Sequence, residues 1–202
     1  MNKTIVIATA MLGLVASGPV AADVIGFTGP FAPGSFTIGF TGTILGGTSG
    51  STIATQTALT INGGNGTGGC VGGVYGFLGP CEVDATHSIA GLGFDTIIFH
   101  WAYSTSDVDG PGGDLFGVFN DGLRTVLSDP GGPISQSGNL TLHPTSSFGF
   151  FVNCTDCTGG SAAATISSFV AQTSAAVVPE PASIALLGLA LAGVGVSRRK
   201  KP

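Results

Sequence analysis

The chain has 202 residues, 35 of them glycine and only 8% charged, against roughly 25% in an ordinary soluble domain. Between Asp23 and Val178 ten acidic residues face one basic residue, Arg124, which leaves that stretch at −9. A surface so poor in Lys and Arg cannot displace the counterions of a phosphate backbone, which excludes nucleic-acid binding and argues against anionic lipid surfaces.

Residues 1–22 read as a secretory signal peptide. Lys3 supplies the positive start, Ile5 to Ala16 form the apolar run, and Val20-Ala21-Ala22 offers the small residues that signal peptidase reads, so cleavage is expected after Ala22. The run is shorter than the ~20 residues a spanning helix needs.

Residues 23–177 alternate short Val, Ile, Thr and Phe runs with Gly, Pro, Asn and Asp clusters, the pattern of a sandwich or barrel. Ser35 to Phe40 places Phe36, Ile38 and Phe40 on one face. The strongest strand is Phe94 to Tyr103, with Ile97, Phe99, Trp101 and Tyr103 on one face and Phe94, Ile98 and His100 on the other. Apolar groups on both sides predict a central strand covered on both faces. Further strands are expected at Leu115–Asn120, Leu123–Ser128, Asn139–His143, Phe148–Asn153 and Ala164–Ala171. Asn120-Asp121-Gly122 is the turn of a hairpin. No long amphipathic helix is present. The expectation is an all-β, antiparallel β-sandwich, jelly-roll-like, of roughly eight to ten strands.

The glycine run from Asn62 to Gly69 has no Lys after it, so it is not a phosphate loop and reads as a flexible or bulged connection. Four cysteines, at 70, 81, 154 and 157, lie in the exported portion, where an even number favours disulfides. Cys70–Cys81 with Cys154–Cys157 is the preferred pairing, and cross-pairing is the alternative if the loops meet. Cys154-Thr-Asp-Cys157 could instead contribute to a zinc site or a redox pair. It lacks a second Cys-x-x-Cys, leaving only His87, His100 and His143 to complete four ligands, and it lacks a βαβ context.

Asp107, Asp109 and Asp114, spaced around Gly110-Pro-Gly-Gly113, form the candidate cation loop. Carboxylates at alternate positions beside a sharp turn suit Ca²⁺, and a solvated Asp/Gly turn is the competing reading. No other cofactor is implied. For catalysis the sequence offers little: no Gly-x-Ser-x-Gly elbow, isolated histidines, and in Glu82 and Asp84 a carboxylate pair that could equally sit in a solvated loop.

At the C-terminus, Val178-Pro179-Glu180-Pro181 precedes an apolar run from Ala182 to Val196 and the cluster Arg198-Arg199-Lys200-Lys201. As a helix that run would extend about 22 Å, short of a bilayer's hydrocarbon core, with its basic end held in the cytoplasm. A short transmembrane helix with the body outside is expected before processing. The pattern resembles the PEP-CTERM sorting signal of Gram-negative bacteria, with Pro179, Glu180 and Pro181 as the matching motif. The resemblance implies recognition by an exosortase, delivery to the envelope, outer surface or extracellular matrix, and association with exopolysaccharide and biofilm. The stretch from Trp101 to Phe169 also resembles a poorly characterised β-rich domain of bacterial surface proteins, which implies no activity.

The resulting expectation is a non-catalytic structural component of the exopolysaccharide matrix, arranged as leader 1–22, domain 23–177 and sorting tail 178–202. One rival is a carbohydrate-binding module using Ca²⁺ at the Asp107 loop and an exposed Trp101 or Tyr103. The other is a secreted hydrolase in which His100 or His143 meets a Ser and a carboxylate.

Overall fold

The computed structural model describes residues 22–74, 76 and 80–173. The helices expected in the leader and the tail, and the motif Pro179-Glu180-Pro181, lie outside these residues. Among the described residues no helix is long and apolar enough to cross a membrane.

Thirteen strands are present among them: β1 (Val24–Ile25), β2 (Thr37–Thr41), β3 (Thr43–Ile44), β4 (Ser51–Ala54), β5 (Ala58–Asn62), β6 (Cys70–Val71), β7 (Cys81–Ser88), β8 (Phe94–Thr105), β9 (Asp114–Asn120), β10 (Leu123–Val126), β11 (Ser135–Leu142), β12 (Ser147–Cys154) and β13 (Ala162–Thr173). One sheet runs β11-β8-β13-β5-β4 with β1 also on β13, the other β10-β9-β12-β7-β2, and β3 pairs β6. Every pairing is antiparallel. From β5 onward the chain crosses between the two main sheets at almost every connection, so one core is shared by both.

The alternation read from sequence puts Ile97, Phe99, Trp101 and Tyr103 of β8 in that core, facing Phe116 and Val118 of β9 and Phe148, Phe150 and Val152 of β12. Two bulges adjust the register. At Ser167/Val170, Ser168 takes a positive φ of 51°, and the extra residue turns Phe169 inward. Without it, strict alternation would send Phe169 to the outer face. A shift at Gln172/Thr173 coincides with Phe94 lying in the core, whereas simple alternation assigns Phe94 to the opposite face. Nor is β8 covered on both faces: among the described residues no layer lies over its outer side, and Ile98 and His100 there are half-buried. On β2 the alternation holds but burial does not follow. Phe36 is buried, yet Ile38 and Phe40 are 39% and 51% exposed, because β2 is the edge strand of its sheet.

Asp121 (φ 51°) and Gly122 (φ 80°) form the tight β9–β10 turn expected from Asn-Asp-Gly. The Asp121 carboxylate also accepts the backbone N–H groups of Thr145, Ser146 and Ser147. Those bonds hold its pKa far below the usual carboxylate range. The glycine run at 62–69 is packed rather than loose. A Cβ at Gly66 would come within 2.6 Å of Ile44 Cγ2 and of the Leu45 carbonyl, so the two backbones approach as only glycine allows.

At one end of the core, His87 lies among Phe31, Phe36 and Phe148, with ring centroids 4.9, 5.1 and 5.8 Å away. Its Nδ1 is 3.0 Å from the Ser35 carbonyl, which fixes the tautomer that donates there. Burial lowers its pKa, partly offset by the Ser35 bond. The unfolded chain, near 6.5, therefore takes up this proton before the fold does. The stability His87 contributes is complete above that pH and is lost as pH falls through the lowered folded value. Glu82, Asp84 and Asp114 have raised values and act in the opposite sense. The test is thus differential. In urea unfolding, His87→Phe should gain stability relative to wild type between about pH 7.5 and about pH 5.5. A difference that does not change with pH would mean that the imidazole protonates freely in the fold.

Candidate functional site

The open face of the six-stranded sheet is built from the residues that alternate with the core. Register aligns Ser135, Ser104 and Ala163 in one row across β11, β8 and β13, and Ser137, Ala102 and Thr165 in the next. The third row is bulkier, with Asn139, His100 and Ser167. Two successive rows of small side chains beside a taller one leave an open groove of about 450 Å³. The outer positions continuing across β5 and β4 are Thr60, Asn62, Ser51 and Ile53. No Asp, Glu, Lys or Arg stands among these positions. Thr60 and Thr165 hydroxyls meet at 3.0 Å, and Asn62 Nδ2 donates to Ser51 Oγ at 3.1 Å. Sequence reading passed over this face because Ser, Ala and Thr carry no motif. Its signal was the absence of charge at every second residue of strands in an acidic chain.

The structure separates the three residues of the candidate cation loop. Asp107 and Asp114 are buried, 6% and 0% exposed, while Asp109 faces solvent. Asp109 contributes its backbone N–H, which donates to Asp107 Oδ1 at 2.7 Å. Thr105 links the buried pair: its hydroxyl accepts the Asp107 N–H at 3.0 Å and donates to Asp114 Oδ2 at 2.9 Å. Burial, followed by the charges of Asp107 and Asp156, pushes the Asp114 carboxyl up to about 7 against the Thr105 bond, which favours the anion. Trp101 and Tyr103 form no exposed platform beside the loop, being 9% and 2% exposed within the core. The Tyr103 hydroxyl donates to the Asp114 carbonyl at 2.5 Å.

Glu82 and Asp84 do not lie in a loop. They occupy the outer face of β7, opposite Asn153 and Phe151 of β12. Arg124 reaches over the Phe151 and Phe119 rings, 4.1 and 5.1 Å from their centroids, and forks onto Glu82, with Nη1 to Oε1 at 2.9 Å and Nη2 to Oε2. A Cβ at Gly117 would strike the Phe151 ring, which is why that ring can lie flat against the sheet. Burial raises the Glu82 pKa and Arg124 opposes the rise.

The histidines are dispersed. His87 is in the core, His100 lies 3.5 Å from Ser167 Oγ on the open face, and His143 contacts Thr96 Oγ1 at 3.3 Å. Thr96 in turn donates to Asp95. The cysteines pair as Cys70–Cys81 and Cys154–Cys157. The two bridges pack together, with the Sγ atoms of Cys70, Cys81 and Cys157 within 4.8 Å of one another. They cap one end of the sandwich together with Ile44.

Comparison with known proteins assigns the tail. Residues 177–200 match the PEP-CTERM protein-sorting motif. The chain thus carries the sorting signal that marks exported, exosortase-processed proteins of Gram-negative bacteria. No curated protein matches it. Among solved structures, the body is similar in shape to a mannan-recognising carbohydrate-binding module, TmCBM27, at 10% identity and a TM-score of 0.34, covering 77% of this chain and 98% of that one. A family 29 carbohydrate-binding module complexed with mannohexaose gives 11% identity and a TM-score of 0.32, covering 67% and 91%.

Arg124→Ala should cost about 2 kcal/mol, discounted from the 3–5 kcal/mol of a fully buried pair because the guanidinium is partly exposed. Replacing both partners, Arg124→Met with Glu82→Leu, should recover most of that loss in chemical denaturation, since it is the orphaned carboxylate that destabilises. Equal losses in the single and double variants would place the cost in the stacking on Phe119 and Phe151 instead.

Proposed function

We propose that the body is a non-catalytic, jelly-roll-like module of the extracellular matrix that holds neutral polysaccharide against the open face of its six-stranded sheet. The observation that carries this reading is the uncharged groove lined by Ser104, Ser135, Ser137, Ala102, Ala163 and Thr165. A neutral glycan presents hydroxyls that need donors and acceptors, and C–H faces that need small apolar contacts. The two rows supply both. An acidic or phosphorylated polymer would gain nothing there and would meet the repulsion of a body at −9. The sorting tail supports the setting, since it marks the chain for export.

The face positions around the Ser167–His100 contact bring no carboxylate to complete an acyl-transfer constellation, which favours holding over cleaving. Such a shallow site without aromatic stacking would bind weakly per sugar and gain strength by repetition along a polymer.

Affinity electrophoresis of residues 23–173 through gels containing mannan, glucan or an anionic polysaccharide tests the proposal. Retardation is expected in a neutral polymer, with Thr165→Glu and Ala102→Trp each weakening it at least about tenfold by charging or filling the groove. Retardation that survives both substitutions would move the site elsewhere, and none in any gel would leave the groove without this role. Replacing Pro179, Glu180 and Pro181 by Ala should leave the tail uncleaved, seen as a heavier cell-associated species by intact-mass measurement.

A further inference from the structure

The buried carboxylate pair at the β8–β9 connection is independent of the groove. Each acid keeps one oxygen with no partner: Oδ2 of Asp107 and Oδ1 of Asp114 are both buried and accept no hydrogen bond from the protein. A buried carboxylate oxygen without a donor is costly unless a proton or a cation meets it. Arg124 is bonded to Glu82 on the outer face of the five-stranded sheet, whereas Asp114 opens β9 of that sheet on its inner side.

The chain brings the two groups together on purpose-built backbone. Asp107 opens the turn that follows β8, its carbonyl accepting the Gly110 N–H, and Asp114 opens β9. Between them the chain folds tightly enough that the Asp107 carboxylate lies against Gly113, where a Cβ would come within 2.7 Å of Oδ1 and 3.1 Å of Oδ2. Any other residue at 113 would push Asp107 away from its neighbour. The Asp109 N–H and the Thr105 hydroxyl occupy the other oxygen of each acid, Oδ1 of Asp107 and Oδ2 of Asp114, and so orient the unpartnered ones.

We infer that Asp107 and Asp114 form a binding site for one divalent cation, Ca²⁺ by the chemistry of its donors, with Thr105 fixing their orientation and Asp109 serving through its backbone alone. The donors are hard oxygens without nitrogen or sulfur, and carboxylates of this kind suit Ca²⁺ over transition metals. An exported protein meets calcium at concentrations that match the weak sites of extracellular modules, with dissociation constants of roughly 10⁻⁴–10⁻³ M. Bound there, the ion would tie β8 to β9, joining the two sheets at the end that the disulfides cap.

The leaderless chain, stripped with chelator, would be titrated with CaCl₂ while following its thermal unfolding and the stoichiometry by calorimetry. The expected result is one ion per chain and a Tm that rises with calcium concentration. Asp107→Asn and Asp114→Asn should each weaken binding at least about tenfold, while Asp109→Asn leaves it within about twofold. Should the buried variants fail to fold, terbium luminescence in the wild-type chain gives a second readout. Emission sensitised through Tyr103 or Trp101 and competed by Ca²⁺ is expected from an ion held beside the Asp114 backbone. Absence of any calcium effect on Tm, or of competed emission, overturns the site, as does a response that persists in Asp114→Asn.

Discussion

One cation has to serve a body with ten acids, and much of the structure is an accommodation to that shortage. Arg124 is committed to Glu82 across two phenylalanine rings. Asp121 is satisfied without any cation, by three successive backbone N–H groups from the β11–β12 connection. In doing so it ties the β9–β10 hairpin to the start of β12. Asp107 and Asp114 draw on a turn N–H and a threonine hydroxyl, which fill one oxygen of each and leave the others. Carboxylates are thus used as acceptors that organise loops, because the sequence offers few ion pairs with which to neutralise them.

The second constraint is space, and glycine and other small residues manage it on both outer faces. Gly117 lets Phe151 lie flat on the five-stranded sheet, where the ring is buried although it points away from the shared core. Across the six-stranded sheet, serine and alanine in two aligned rows create the groove by what they do not fill. One face is therefore closed over by Arg124 and its rings, while the other stays open and neutral.

The legibility of this fold in the sequence followed the range of the interactions. Local signals were sufficient for β8, β9, β12 and the Asn-Asp-Gly turn, because alternation and positive-φ residues are written within a few positions. They failed for β7, where Glu82, Asp84, Thr86 and Ser88 interleave with Val83, Ala85 and His87. Those polar residues find their partners on β12, β2 and β10, and nothing near them in the chain says so. Alternation placed Phe94 on the outer face of β8, and it lies in the core for a related reason: a bulge reverses the face of every residue beyond it, and its position depends on the neighbouring strand. Of the candidate cation residues, Asp107 and Asp114 come together and Asp109 does not, since spacing along a turn does not reveal which side chains it folds inward. The groove left only a faint trace in the sequence, the missing charge at alternate positions, because register alone places its six residues side by side.

The position of β13 has a consequence for how this chain reaches its final form. β13 is the last of the described strands in sequence, yet it lies in the interior of its sheet, bonded to β8 on one side and to β5 on the other, with β1 also on it. β5 and β8 therefore lack their shared neighbour until β13 has formed between them. The sheet closes only when Ala162–Thr173 has docked, and the sorting motif follows within a few residues. Closure of the six-stranded sheet therefore rests on pairings between segments far apart in the chain, the kind that form slowly because a long loop must close before they are rewarded.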